Sequence, residues 1–328
     1  MFTSAKWQRI KSGFRGPEDF YPLKHVSHRE WGRGFTLPDS CVLGTNIEFP
    51  KVGERPQFSI TNLIHVTDSN GVQGILADQC LKKANLKQIG EDLKVQFSWW
   101  GVQVSQEDME KARGAKREAV TKQLNQTMEG APARDVGSLR DSLLEQFVSS
   151  PAFLKVSNYG NFKFTYKLND LIGEYEKSVC KGNYPEFRVL GTFKYNIEIM
   201  HTVVVHPPGV EIFGQCPPLP SEVITREGAE WKWRPESTGS EMRVLIQGGD
   251  GSWRVSDCDP DCRRWDFVSF AFYLPDENPE FPLPLELRHV SVCEMERSQR
   301  YRPPYTHMSR GEAEEFYLSV LKGYERFC

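Results

Sequence analysis

The stretch NLIHVTDSNGVQGIL, residues 62–76, holds a histidine that can be read in two ways. Leu63 and Ile64 are apolar and suited to a strand that ends near Thr67. Asp68, Ser69, Asn70 and Gly71 are turn formers. The run VQGIL then starts a short helix, which Gly74 weakens. His65 therefore falls at a strand end beside a turn. An imidazole there can donate to a ribose hydroxyl, and Thr67 adds a second polar group two residues on. It can equally be an ordinary strand-end histidine, and this stretch leaves both readings open.

Outward from it, strands dominate. NLIHVT, VQFSWWGVQV, NFKFTYKL, FKYNIEIMHTVVVH, MRVLIQG, DFVSFAFYL and LELRHVSVC are rich in β-branched and aromatic residues, mostly bounded by Gly or Pro. NFKFTYKL alternates Phe162, Phe164, Tyr166 and Leu168 with Lys163, Thr165 and Lys167, the pattern of a strand with one wet face. Helices are expected in four places. One follows Ser105, with Asp108 at capping-box spacing; another is SLRDSLLEQFV; a third is NDLIGEYEKSV, with Asn169 as its N-cap. The fourth follows Ser309 and Glu312, a second capping box, and sets Ala313, Phe316, Tyr317, Val320, Leu321 and Tyr324 on one face. Helices gather between 105 and 180 and at the end. That segregation predicts an α+β fold with an antiparallel or mixed sheet rather than repeated βαβ units.

A chain of 328 residues suits one large domain or two modest ones at roughly 150 residues each. The expected organisation is an irregular arm over 1–60, a core over 61–215 and a β-rich portion over 216–328 that packs on the same domain. The proline-rich segment 216–241 is the best internal boundary. Twenty phenylalanines and eight tryptophans exclude global disorder, and a net charge of −3 gives no basic field for nucleic acid. No apolar run reaches the ~18 residues of a membrane span, and the basic N-terminus lacks the apolar stretch of a secretory signal. Eight scattered cysteines suit reduced thiols, hence a cytoplasmic or nuclear protein. In CDPDC, Cys258 and Cys262 lack the second pair a zinc site needs.

The second informative stretch is GTFKYNIEIMHTVVVHPPG, 191–209. Read as one extended strand, it carries Glu198 among apolar residues. A carboxylate is costly there unless its face lines a cleft or meets solvent. His201 and His206, five apart, face opposite sides of such a strand and make no pair.

Taken together, these stretches resemble ADP-ribosyltransferases, especially the poly(ADP-ribose) polymerase-like and DNA-modifying DarT-like branches. The His-x-Thr, turn and helix start of 65–76 is similar to the first motif of that family, and YNIE to the strand bearing its glutamate. The likeness spans about 61–206. Val66 stands where the family often has Gly. The resemblance implies a split sheet that binds NAD as co-substrate. His65 and Thr67 would hold the adenosine ribose, and an aromatic plate from Trp99, Trp100 or Tyr159 would cover the nicotinamide. Glu198 would be catalytic, stabilising the cationic sugar as the nicotinamide leaves. The acceptor would be a macromolecule, protein or nucleic acid. A chain that kept the fold and lost turnover would instead be a binding module.

A third reading comes from His-x-Ser/Thr, which occurs at His25, His65, His289 and His307. Paired motifs of this kind resemble the 2H phosphoesterases, in which two histidines act as acid and base. That reading requires His289 or His307 within reach of His65.

Overall fold

The computed structural model describes residues 8–12, 16–21, 57–82, 97–127, 156–157, 160–194, 198–214, 218–219, 224–234, 243–247, 253–257, 266–278, 280–283, 289–295 and 308–324. Among them a nine-stranded open sheet dominates. In chain order its strands are β1 (Gln8–Ser12), β2 (Gly16–Tyr21), β3 (Asn62–Thr67), β4 (Phe97–Gln103), β5 (Phe162–Lys167), β6 (Glu186–Lys194), β7 (Glu198–His206), β8 (Asp266–Tyr273) and β9 (Val290–Val292). They lie side by side as β1-β2-β6-β7-β8-β4-β3-β5-β9. Only β7 and β8 run parallel; every other neighbouring pair is antiparallel. The fold is thus mixed α+β with a mostly antiparallel sheet.

The pleat sorts side chains between two faces. Phe270 and Phe272 of β8 join the main core while Ala271 does not, and Val203 and Val205 of β7 join it while Val204 does not. On β5, Phe162, Phe164 and Tyr166 are buried and Lys167 is exposed, following the expected alternation. The described α-helices are α1 (Ser69–Asp78), α2 (Gln106–Thr127), α3 (Leu168–Ser178) and α4 (Arg310–Tyr324), and short two- and three-stranded sheets accompany the main one. Val72, Ile75 and Leu76 of α1 and Leu171, Ile172 and Tyr175 of α3 enter the same core. From α4, Ala313 enters it and Phe316, Tyr317 and Val320 pack against it.

The second capping box closes as its spacing predicts, and the first makes one of its two bonds. Ser105 Oγ accepts from Asp108 N at 3.0 Å. Ser309 N donates to Glu312 Oε2 at 2.7 Å, and Glu312 N returns a bond to Ser309 Oγ. The third helix differs from expectation. It begins at Leu168 with Lys167 as N-cap, because Leu168 is buried and its N–H donates to Thr61 O at 2.8 Å. Asn169 is therefore one residue inside the helix, and its amide donates to Ala229 O. The expected helix over 138–148 and the pair Cys258 and Cys262 lie outside the described residues.

Three larger expectations change. FKYNIEIMHTVVVH is not one strand: β6 ends at Lys194, β7 starts at Glu198, and the two pair antiparallel with Glu198 opposite Lys194. The segment expected to be irregular contributes an edge hairpin, β1 and β2. The expected boundary at 216–241 contains a hairpin, Ile224–Glu227 with Glu230–Trp233, that pairs with Phe58–Ser59. Trp231 and Trp233, together with Ile224, are buried in the main core, so this segment is held by apolar packing. Strand β8 lies between β7 and β4, which weaves the C-terminal portion into the central sheet.

Two glycines close-pack around Thr67. A Cβ on Gly71 would meet Thr67 Oγ1 at 1.8 Å. Gly160 has φ +149°, and a Cβ there would meet Thr67 O at 2.0 Å. A Cβ on Gly74, in the same helix as Gly71, would meet no described atom within 4 Å beyond the helix's own backbone. Gly71→Ala and Gly160→Ala are therefore expected to destabilise the chain by roughly 1–3 kcal/mol each, the usual cost of overpacking. Gly74→Ala should stabilise it by about 0.5–1 kcal/mol. Urea denaturation of the three variants checks this; similar effects at 71 and 74 would contradict the packing.

Candidate functional site

The His65 ring is held from the β4 side of its strand. Its Nδ1 lies 2.9 Å from the carbonyl oxygen of Trp99 on β4. A carbonyl only accepts, so Nδ1 carries the proton and Nε2 of the neutral ring is a bare acceptor. The sequence reading had this imidazole donating to a ligand hydroxyl; in the neutral ring the free nitrogen instead accepts from one. Burial lowers the His65 pKa and outweighs the Trp99 bond, which raises it, so the neutral form is favoured.

The register β3–β4 pairs Ile64 with Gly101, and its continuation sets His65 opposite Trp100. The two rings lie 5.5 Å apart, tilted by 54°. Trp100 also meets Tyr166 edge-on at 5.7 Å, and its Nε1 donates to Ser98 Oγ. Tyr166 in turn carries the His289 ring at 4.5 Å. Two half-buried imidazoles thus flank two buried aromatics on one face. Strands β3 and β9 both pair antiparallel with β5, so they run the same way, and His65, Phe164 and Val290 share one row.

Beyond His65 the chain turns at once into α1. Asp68 is its N-cap, accepting from Gly71 N at 2.8 Å. That bond and the two glycine contacts hold Thr67 at the mouth of the helix.

The structure brings together only some of the expected site residues. His65, Thr67 and Trp100 stand together. Trp100 is 1% exposed, so neither face is open for a ligand to stack on; it buttresses His65 instead. Trp99 offers its carbonyl to His65 and turns its ring away, meeting Phe97 at 5.4 Å. Tyr159, His25 and His307 lie outside the described residues. Glu198 is not near. Strand β7 lies three strands from β3, about 14 Å at ~4.8 Å per strand. Glu198 also precedes by five residues the Val203 row that leads to Trp100, about another 16 Å along the strand. It is the first residue of its strand.

A polar group on the opposite face was missed. His206 is buried against Phe213, ring centres 4.8 Å apart, and its Nδ1 donates to Pro207 O at 2.8 Å. Its Nε2 has no hydrogen-bond partner among the described residues and lies 4.0 Å from Glu186 Oε2. Arg188 binds that carboxylate at 2.8 Å and holds its pKa down. Burial lowers the His206 pKa. A turn placed at residue 196 would have revealed Glu186, because a hairpin about that point pairs it with His206.

Among the described residues no group of three or more His, Cys, Asp or Glu side chains could hold a metal ion, and no helix is long and apolar enough to cross a membrane. No family model, curated protein or solved structure matches the chain.

His65 and His206 share one consequence. Both have folded pKa values below the unfolded value of about 6.5. The unfolded chain then binds more protons, so their contribution is complete above that value and is lost as pH falls through and below it. Urea midpoints taken between about pH 7.5 and 5.5 are expected to fall, and to fall less in His65→Asn and His206→Asn. Equal slopes in all three proteins would remove the imidazoles from the account.

Proposed function

We propose that the chain is a nucleotide-binding module of the ADP-ribosyltransferase-like kind, taking NAD where His65 and Thr67 stand, and that Glu198 does not act on that ligand. The observation that supports binding is the bond between His65 Nδ1 and Trp99 O, which leaves Nε2 as an oriented acceptor on a half-buried residue. A ribose hydroxyl is the complementary donor. The aromatic plate implied by the resemblance does not fit Trp100, which is shut, or Trp99, which faces away. The observation against turnover is the three-strand, five-residue offset of Glu198.

Calorimetric titration with NAD, paired with an assay for released nicotinamide, tests this. Wild type and Glu198→Gln should bind alike and release none. His65→Ala should bind about tenfold more weakly, the worth of roughly one hydrogen bond. Nicotinamide release that Glu198→Gln abolishes would establish ADP-ribosyl transfer to a protein or nucleic-acid acceptor and overturn the module reading. Absence of NAD binding would end both.

One observation favours a second reading, a phosphoesterase of the paired-histidine type. HVT at 65–67 and HVS at 289–291 share one face two strands apart and run the same way, although the buried rings of Trp100 and Tyr166 separate their imidazoles and a substrate would have to span them. Cyclic nucleotide hydrolysis lost equally in His65→Ala and His289→Ala is the expected outcome there. An unaffected rate in either variant discards it.

A further inference from the structure

The hairpin Ile224–Glu227 with Glu230–Trp233 rests on the core face of the sheet, Trp231 meeting Phe270 at 5.4 Å and Phe187 at 5.1 Å, both edge-on. Arg226 stands opposite Trp231 in the hairpin register. Its guanidinium carbon lies 5.0 Å from the ring centre of Tyr184, 5.3 Å from that of Phe187 and 5.2 Å from that of Trp231. Aromatic rings attract the faces of a guanidinium. Its N–H donors lie in the guanidinium plane, away from the direction of ring stacking.

Among the described residues no acceptor meets them. The Nε–H is buried without a hydrogen-bond partner. The nearby carboxylates are engaged elsewhere: Glu227 and Glu230 by Lys232 at 2.9 and 3.8 Å, and Glu186 by Arg188 at 2.8 Å. The hairpin's other arginine, Arg234, donates to Gln57 Oε1 and Thr225 Oγ1. One cationic fork is therefore oriented by three rings and meets no acceptor among the described residues. Tyr184, 46% exposed, opens this corner to solvent.

We propose that Arg226 is an oxyanion-binding point, taking a carboxylate or phosphate group whose oxygens lie in the guanidinium plane. The planar fork matches two oxygens of either group, and charge-assisted bonds of this kind are the strong ones. Tyr184, Phe187 and Trp231 fix the fork beforehand, so little side-chain freedom is lost on binding. The proposal is independent of the NAD reading, since it rests on a different hairpin and different residues.

The test uses the full chain labelled with ¹⁵N-arginine. The Arg226 Nε–H resonance is the one missing from Arg226→Lys. Inorganic phosphate and acetate are titrated separately against chloride at constant ionic strength. A saturable shift of that resonance, with other arginine signals still, is the expected result. Response to phosphate alone points to a phosphate-bearing ligand, to acetate alone to a carboxylate, and to both to oxyanions in general. Tyr184→Ala, at an exposed position that leaves the charge intact, should weaken the response several-fold by freeing the guanidinium. A resonance that moves with neither anion, or no differently from the other arginines, overturns the proposal.

Discussion

Strand β4 is paired on both edges, to β8 and to β3, and its hydrogen-bonded register leaves no freedom over which face each residue takes. Phe270 faces Trp100 across one seam, and His65 faces it across the other. A slip of one residue would turn Trp100 and Val102 out of the core and present Trp99 and Gly101 in their place. Trp100 is the largest side chain of that row and is nearly fully buried, so the apolar area it removes from water weighs strongly against the slip. The same pairing carries the His65 anchor, because Trp99 can offer its carbonyl only in this register. Core packing and the presentation of the candidate ligand group are therefore one constraint.

The connection from β3 into α1 depends on a second set of close contacts. Thr67 is enclosed by Gly71 from the helix and by the backbone of Gly160 ahead of β5. Asp68 caps the helix across the same turn. Asn161, one residue after Gly160, donates to the carbonyls of Cys293 and Met308, tying the β9 end and the start of α4 to this point. Four segments distant in sequence thus converge within a few residues of Thr67. A ligand group held there would meet backbone with little room to adjust, which suits recognition by preorganised polar atoms rather than by an adaptable loop.

What could be read from the sequence follows from where the physics is local. Alternation along NFKFTYKL is a property of one strand, so its wet and dry faces were legible. Capping boxes involve residues three apart, and both were found. The strand order was not legible, because β8 reaches its place between β7 and β4 from far along the chain and no local pattern records that. The reading of FKYNIEIMHTVVVH as one strand fails because β-branched and aromatic residues continue on both sides of residues 195–197. That single error made Glu198 look like a carboxylate inside an apolar strand and hid the pairing of Glu186 with His206. The Trp99–Trp100 ambiguity was likewise a question of register, and only the partner strands resolve it. The segment 216–241 reads as a boundary because Pro217, Pro218, Pro220 and Pro235 flank the hairpin at 224–233, while the burial of Trp231 and Trp233 is not visible in sequence.

The polar groups divide by how their charge is handled. Burial favours the neutral form of His65 and His206, and the backbone carbonyls fix the tautomer, leaving each with a single acceptor nitrogen on opposite faces of one sheet. Neutral acceptors select donors, and Nε2 of His206 already faces a carboxylate at 4.0 Å, so it adds one acceptor beside another. Two acceptors that close repel a third and favour a proton or a doubly donating group between them. His65 has no charged neighbour among the causes of its shift, only burial and the Trp99 bond. Of the two, His65 is the one whose free nitrogen is not already opposed by a fixed charge, and its half-buried position gives a hydroxyl a way in. On chemical grounds, therefore, the β3 end is the stronger site, even though the carboxylate expected to complete it lies elsewhere on the sheet.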